Sequence, residues 1–204
     1  MFIGMGLLLI AAAFCLTAYN FWDSARAGKA SDKVLSRLSA AVEENKKANE
    51  YNSPDDEPEN AVVPEYILNP KMEMPAVEID RERYIGMLTL KSQNKVFPVF
   101  DEWNYDNLKT APCRYSGTAY QNNLVICAHN YTVHFGTIGN LKYGDEILFT
   151  DCDGNTFSYE VVECEELGST SVDKMTSGEW DLTLFTCTLS GRSRVTVRCQ
   201  RKKQ

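Results

Sequence analysis

Four patterns of apolar and polar residues follow one another along the chain. It opens on an unbroken apolar run, continues as a polar stretch with a thin apolar stripe, passes through a proline- and acid-rich segment, and alternates with period two after Met72. Met1–Trp22 carries no charged side chain. At about 1.5 Å per residue a helix of this length covers roughly 30 Å, the hydrocarbon thickness of a bilayer. Tyr19, Phe21 and Trp22 then fall where interfacial aromatic residues are expected. A cleaved signal peptide is the alternative, with Ala25-Arg26-Ala27 resembling a cleavage site, but the run exceeds the roughly 7 to 15 apolar residues of a signal sequence. Residues 1–22 are therefore read as an uncleaved transmembrane anchor.

In Ala30–Tyr51, Val34, Leu35, Leu38, Ala41 and Val42 recur at helical spacing, which predicts a polar helix with a narrow apolar face, read as a stalk. Ser53–Pro70 contains Pro54, Pro58, Pro64 and Pro70 among acids, a composition that stays extended and buries no core. Residues 23–71 are thus stalk and linker, and 72–204 are the folded domain. Within it Tyr84–Leu90, Lys95–Phe100, Asn123–His129, Asp145–Cys152, Thr156–Glu166, Leu182–Cys187 and Arg194–Gln200 read as strands. Closely spaced strands with few competing helical windows predict a mainly β fold, a closed or nearly closed antiparallel barrel, because closure removes exposed edges. The long connections Asp101–Asn122, Asn130–Gly144 and Leu167–Asp181 are the expected seats of function.

Charge and cysteine content narrow the classes. A net charge of -7 argues against nucleic acid as a partner, since phosphate binding needs a basic face. Six of the seven cysteines lie outside the anchor, yet no CxxC pair suggests zinc or a dithiol redox site, and a domain of this size builds a core without disulfides. Most are expected to be small core residues. Asp153-Gly154-Asn155 signals a hairpin, taken as a two-residue loop that keeps Cys152 far from Cys164. Arg26, Lys29, Lys33 and Arg37 follow the anchor, so the positive-inside rule alone puts the domain in the cytoplasm. An in-frame start upstream of Met1, with basic codons, would reverse that expectation.

The candidate chemistry sits at strand ends. Cys187 closes "LTLFTC", His129 ends "NLVICAHN", and Arg194 opens the last strand. A free thiol with a pKa of about 8.5 is only about 3% thiolate at neutral pH. A neighbouring imidazole and guanidinium would both favour the anion, the imidazole could protonate a leaving amine, and the guanidinium suits a carbonyl or its oxyanion. This is acyl transfer through a thiol. Arg192 and Arg198 compete with Arg194, but Arg198 lies about 13 Å farther along the strand at roughly 3.3 Å per residue. Arg194, Thr196 and Arg198 are expected on one face, with Val195, Val197 and Cys199 on the core face. Cys127 is a rival thiol read as a packed residue, and His134, in a polar loop, is given no chemical role.

These residues resemble a known family. "TLFTC" (Thr183–Cys187) is similar to the TLxTC motif of sortases, "AHN" (Ala128–Asn130) to their histidine motif, and "SRVTVR" (Ser193–Arg198) to their arginine-led last strand. The resemblance covers roughly Met72–Gln204, and the order His, Cys, Arg after an N-terminal anchor agrees with it. It implies an eight-stranded sortase-type β-barrel with short helices, and a membrane-anchored cysteine transpeptidase that cuts an LPXTG-like sorting signal through a thioester. By that resemblance Cys187 is the nucleophile, His129 the general acid and then base, and Arg194 the oxyanion stabiliser. Thr186 and Asn130 are expected to bind substrate, together with the Leu167–Asp181 loop.

The implied partners are a sorting-signal peptide of surface proteins or pilins, an amine on a peptidoglycan precursor or pilin, and the membrane, with the domain extracellular. No cofactor or metal is expected; Glu165, Glu166 and Asp173 make no specific calcium pattern. Ala128 stands where the family more often has glycine. Asn130 is similar to class B members and the short Cys187–Arg194 spacing to class D, so the subclass stays open. Papain-like and NlpC-type peptidases place the thiol at a helix start before the histidine, and L,D-transpeptidases keep the two within a few residues; neither fits. A non-enzymatic, membrane-tethered β-barrel interaction module is the remaining alternative.

Overall fold

The computed structural model describes residues 2–51 and 63–202. Pro54 and Pro58 of the expected linker lie outside these. A single helix, α1 (Phe2–Tyr51), carries both the apolar run and the polar rod. No proline interrupts it. Its apolar start stands clear of the barrel, with Leu8 69% and Phe14 72% exposed.

The rod expected as a stalk lies along the domain. Ala27, Ser31, Val34, Leu38 and Val42 are buried, at the spacing of one helical face. Val34, Leu38 and Val42 pack with Ile79, Tyr84, Phe100, Ala111, Cys113, Cys127 and Cys152. Arg37 pairs with Asp80 at 2.7 Å, and Asn45 Nδ2 donates to the Cys152 carbonyl at 2.9 Å. Where extended linker was expected, Glu65–Leu68 forms one helical turn, α2, and Tyr66 stacks on Tyr120 with ring centroids 4.7 Å apart.

The domain is a closed eight-stranded barrel. Its strands are β2 (Glu82–Leu90), β3 (Lys95–Phe100), β4 (Cys113–Ser116), β5 (Leu124–Ala128), β6 (Glu146–Asp151), β7 (Thr156–Gly168), β8 (Leu182–Cys187) and β9 (Ser193–Arg201). A short β1 (Val77–Ile79) pairs with the start of β2. Around the barrel the order is β2-β3-β4-β5-β8-β9-β7-β6, closed by β2 against β6. Closure demands Gly86: its φ is +148°, and a Cβ there would stand 2.1 Å from the Thr150 carbonyl oxygen. The centre is filled by Ile85, Leu88, Leu124, Ile126, Phe149, Tyr159, Leu184 and Val197, among others.

Three expectations are corrected. The barrel is mixed: β3 runs parallel to β4 and β5 parallel to β8. The strands β1 and β4 were absent from the sequence reading, because each spans only three or four residues and shows too little alternation to register. The β6–β7 turn holds the four residues Cys152–Asn155, with Asp151 Oδ1 accepting from the backbone N–H of Asp153 and Asn155. That carboxylate stands in for the ladder bonds a tighter hairpin would make.

Candidate active site

The parallel pairing of β5 with β8 decides where the chemistry falls. Two parallel strands end at the same rim, and here Ala128 is the register partner of Thr186. The next residue on each chain is His129 and Cys187. Thr186 Oγ1 ties the pair together by donating to the Ala128 carbonyl at 2.8 Å. Antiparallel β9 then sets Arg194 directly opposite Cys187, about 5 Å away between Cα atoms. All three side chains open onto one cleft of about 230 Å³.

Two connections wall this cleft. From the β3–β4 connection come Trp103, Tyr105 and Leu108, the last two on a short helix, α3 (Tyr105–Leu108). From the β7–β8 connection come Val172 and Met175 of α4 (Val172–Met175). Tyr115 and Phe185 form its floor, edge to face with centroids 5.2 Å apart. Sequence reading named both connections without their aromatic residues; Trp103 and Tyr105 in an otherwise polar stretch were the available signal.

The site suits acyl transfer. Cys187 is partly exposed, as an attacking sulfur must be. Its rival Cys127 is 4% exposed, and burial pushes that thiol up to about 12, so it stays protonated. His129 is held below its usual range by burial, an effect the Asp23 carboxylate opposes and Lys109 reinforces. Arg194 Nη1 donates to the carbonyls of Gly191 and Ser193 at 3.1 and 3.0 Å, which fixes the guanidinium over the β8–β9 turn.

The other candidates sort clearly. Arg192 is exposed in that turn and does not line the cleft. Arg198 is 2% exposed, with Nε on Glu165 at 2.8 Å and Nη2 on the Lys174 carbonyl at 2.8 Å. The strand face opposite the core is thus covered by α4, and Arg198 pins that cover. Thr186 borders the cleft, but its hydroxyl is spent on Ala128. Asn130 does not line the cleft. His134, expected in a polar loop, is fully buried; neither ring nitrogen meets hydrogen-bond geometry, although the Thr110 backbone lies close enough to favour its charged form slightly.

The mixed eight-stranded barrel agrees with what known proteins show. Residues 88–202 match the family model described as Sortase domain. The chain belongs to the sortase family. It is accordingly a cysteine transpeptidase. No curated protein sequence matches this sortase significantly.

Among solved structures it is similar to the Clostridium perfringens Sortase D5 transpeptidase, at 20% identity over 86% of this chain and 97% of the other, with a TM-score of 0.56. It is likewise similar to sortase A from Corynebacterium diphtheriae, at 18% identity over 96% of both chains, TM-score 0.55. Sortase C from Clostridium perfringens SM101 matches at 20% identity over 85% and 92%, TM-score 0.53. At these identities the likeness speaks for the fold, and neighbours named as classes A, C and D leave the subclass open.

Proposed function

We propose that this sortase cleaves an LPXTG-like sorting signal and passes the acyl part to an amine of a cell-wall precursor or pilin. The Cys187 sulfur attacks the threonine carbonyl of the scissile bond. The oxyanion that forms is stabilised by Arg194, whose Nε and Nη2 make no other hydrogen bond among the described residues. His129 gives its proton to the departing glycine amine as the thioester forms. The acceptor amine then attacks the thioester carbonyl, His129 takes a proton from it, and Cys187 leaves as the thiolate as the new amide forms.

The observation that carries this reading is the meeting of Cys187, His129 and Arg194 in one apolar-walled cleft. The apolar stretch of α1 is long enough to cross a membrane once and supports a single-pass anchor. Sorting signals are displayed on exported proteins, so an extracellular placement of the domain belongs to the same proposal.

The full chain in detergent, incubated with an LPXTG-type peptide library and an amine acceptor, should give a ligated product and an acyl adduct on Cys187 by mass spectrometry. Neither should appear with Cys187→Ala. Absence of both from the wild-type protein with every peptide would overturn the substrate assignment.

A further inference from the structure

The loop that carries His129 is gripped from two sides. On the barrel side Phe135 and Ile138 are fully buried in the core, and the Phe135 N–H donates to the His129 carbonyl at 3.2 Å. The loop folds tightly on itself, since a Cβ on Gly136 would stand 2.4 Å from the Asn130 carbonyl oxygen. On the other side is α1. Tyr131 Oη donates to Asp23 Oδ2 at 2.5 Å, and Gly28 faces the Val133 side chain. The Tyr131 ring lies between the two histidines, with centroids 5.0 Å from His129 and 5.6 Å from His134.

The carboxylate in this arrangement is well defined. Arg26 occupies Asp23 Oδ1 through Nε at 3.1 Å and Nη2 at 2.8 Å, which leaves Oδ2 to Tyr131. Both contacts hold Asp23 below its usual range, so it is charged at neutral pH. The ionisable groups around His129 are these: Asp23 with Arg26 from α1, Lys109 from the α3–β4 connection, Tyr131 and His134 from its own loop, and Cys187 and Arg194 across the rim. Asp23 is the one carboxylate in the set, set against Arg26, Lys109 and Arg194. Among the described residues, Asp106 is engaged by Lys109 at 2.7 Å, and Asp23 is the carboxylate whose charge reaches the half-buried imidazole.

We propose that Asp23, acting through Tyr131, is a positioning residue for His129, so that the helix following the anchor forms part of the acid–base machinery. The tyrosine fixes the plane of the imidazole, and the carboxylate supplies the field that favours the imidazolium. The proposal rests on the reading of His129 as the general acid. The helix is thus a working part of the enzyme.

The chain contains only two histidines, so the imidazole signals of isotope-labelled full-length protein in detergent can be followed through a pH titration, with a His134→Gln variant to assign them. Asp23→Asn should lower the His129 midpoint by about one pH unit. Tyr131→Phe should move it in the same direction by less, and Asp23→Glu should restore it. The rate of acyl-enzyme formation near neutral pH should fall about tenfold in Asp23→Asn, in proportion to the lost imidazolium. A His129 midpoint unmoved in both Asp23→Asn and Tyr131→Phe, with native spectra elsewhere, would overturn the proposal. The titration needs no substrate, so it stands even if the peptide assignment fails.

Discussion

At the scale of single residues, position along a strand separates the chemical groups from their look-alikes. Arg194 faces Cys187 across the β8–β9 ladder, whereas Arg192 hangs in the turn and Arg198 is locked beneath α4. Arg194→Ala should therefore lower kcat/KM by about 10²- to 10³-fold, the usual cost of losing an oxyanion donor, while Arg192→Ala stays near wild type. Steady-state kinetics on both variants checks the contrast. Part of this was legible before the structure, because alternation along "SRVTVR" puts Arg194 and Arg198 on the face opposite Val195 and Val197, about 13 Å apart at roughly 3.3 Å per residue. What alternation could not supply was the cover over that face. Arg198, set aside for its distance along the strand, proves to be structural beneath α4, which arrives from a distant connection whose path period-two patterning does not encode. Thr186, which the resemblance implied would border the substrate, lines the cleft with its hydroxyl turned to the Ala128 carbonyl, and Asn130 does not line it.

At the scale of elements, strands with full alternation were found nearly to the residue, with β3 and β8 coinciding with the reading and β5 and β7 differing by one or two positions. Pairing was less accessible. Sequential strands favour antiparallel neighbours, and the parallel β5–β8 contact joins segments far apart in the chain, so nothing local announces it. Yet that contact is what brings His129 beside Cys187. The helix α1 shows the opposite case: its apolar stripe was plain, but a thin stripe fits a free rod as well as a docked one. Leu38 is fully buried against the barrel, so Leu38→Ala should destabilise the folded domain by about 2 to 5 kcal/mol. Leu8→Ala, in the segment clear of the barrel, should leave domain stability unchanged. Chemical denaturation in detergent micelles separates the two.

At the scale of the whole molecule, the β5–β6 connection buries one imidazole with little polar company. Burial pushes His134 down to about 4, below the value of about 6.5 expected in an unfolded chain. Between these values the unfolded state binds the additional proton. The contribution of His134 to stability is therefore complete above about pH 6.5 and is lost progressively as the pH falls toward 4. Urea midpoints measured at pH 7 and pH 5 should drop on acidification, and His134→Leu should flatten the difference.

An unbroken helix from the apolar run to the barrel would also set a height. If Ile3–Trp22 fills the bilayer, Asp23 lies within about 2 Å of its edge along the axis, and Asp23 is bonded to the loop of His129. A flexible tether would let the cleft sweep a wide shell above the surface; this strut would hold it down at the headgroups. Substrates would then be selected by how far their cleavable segment stands from the membrane as well as by its side chains.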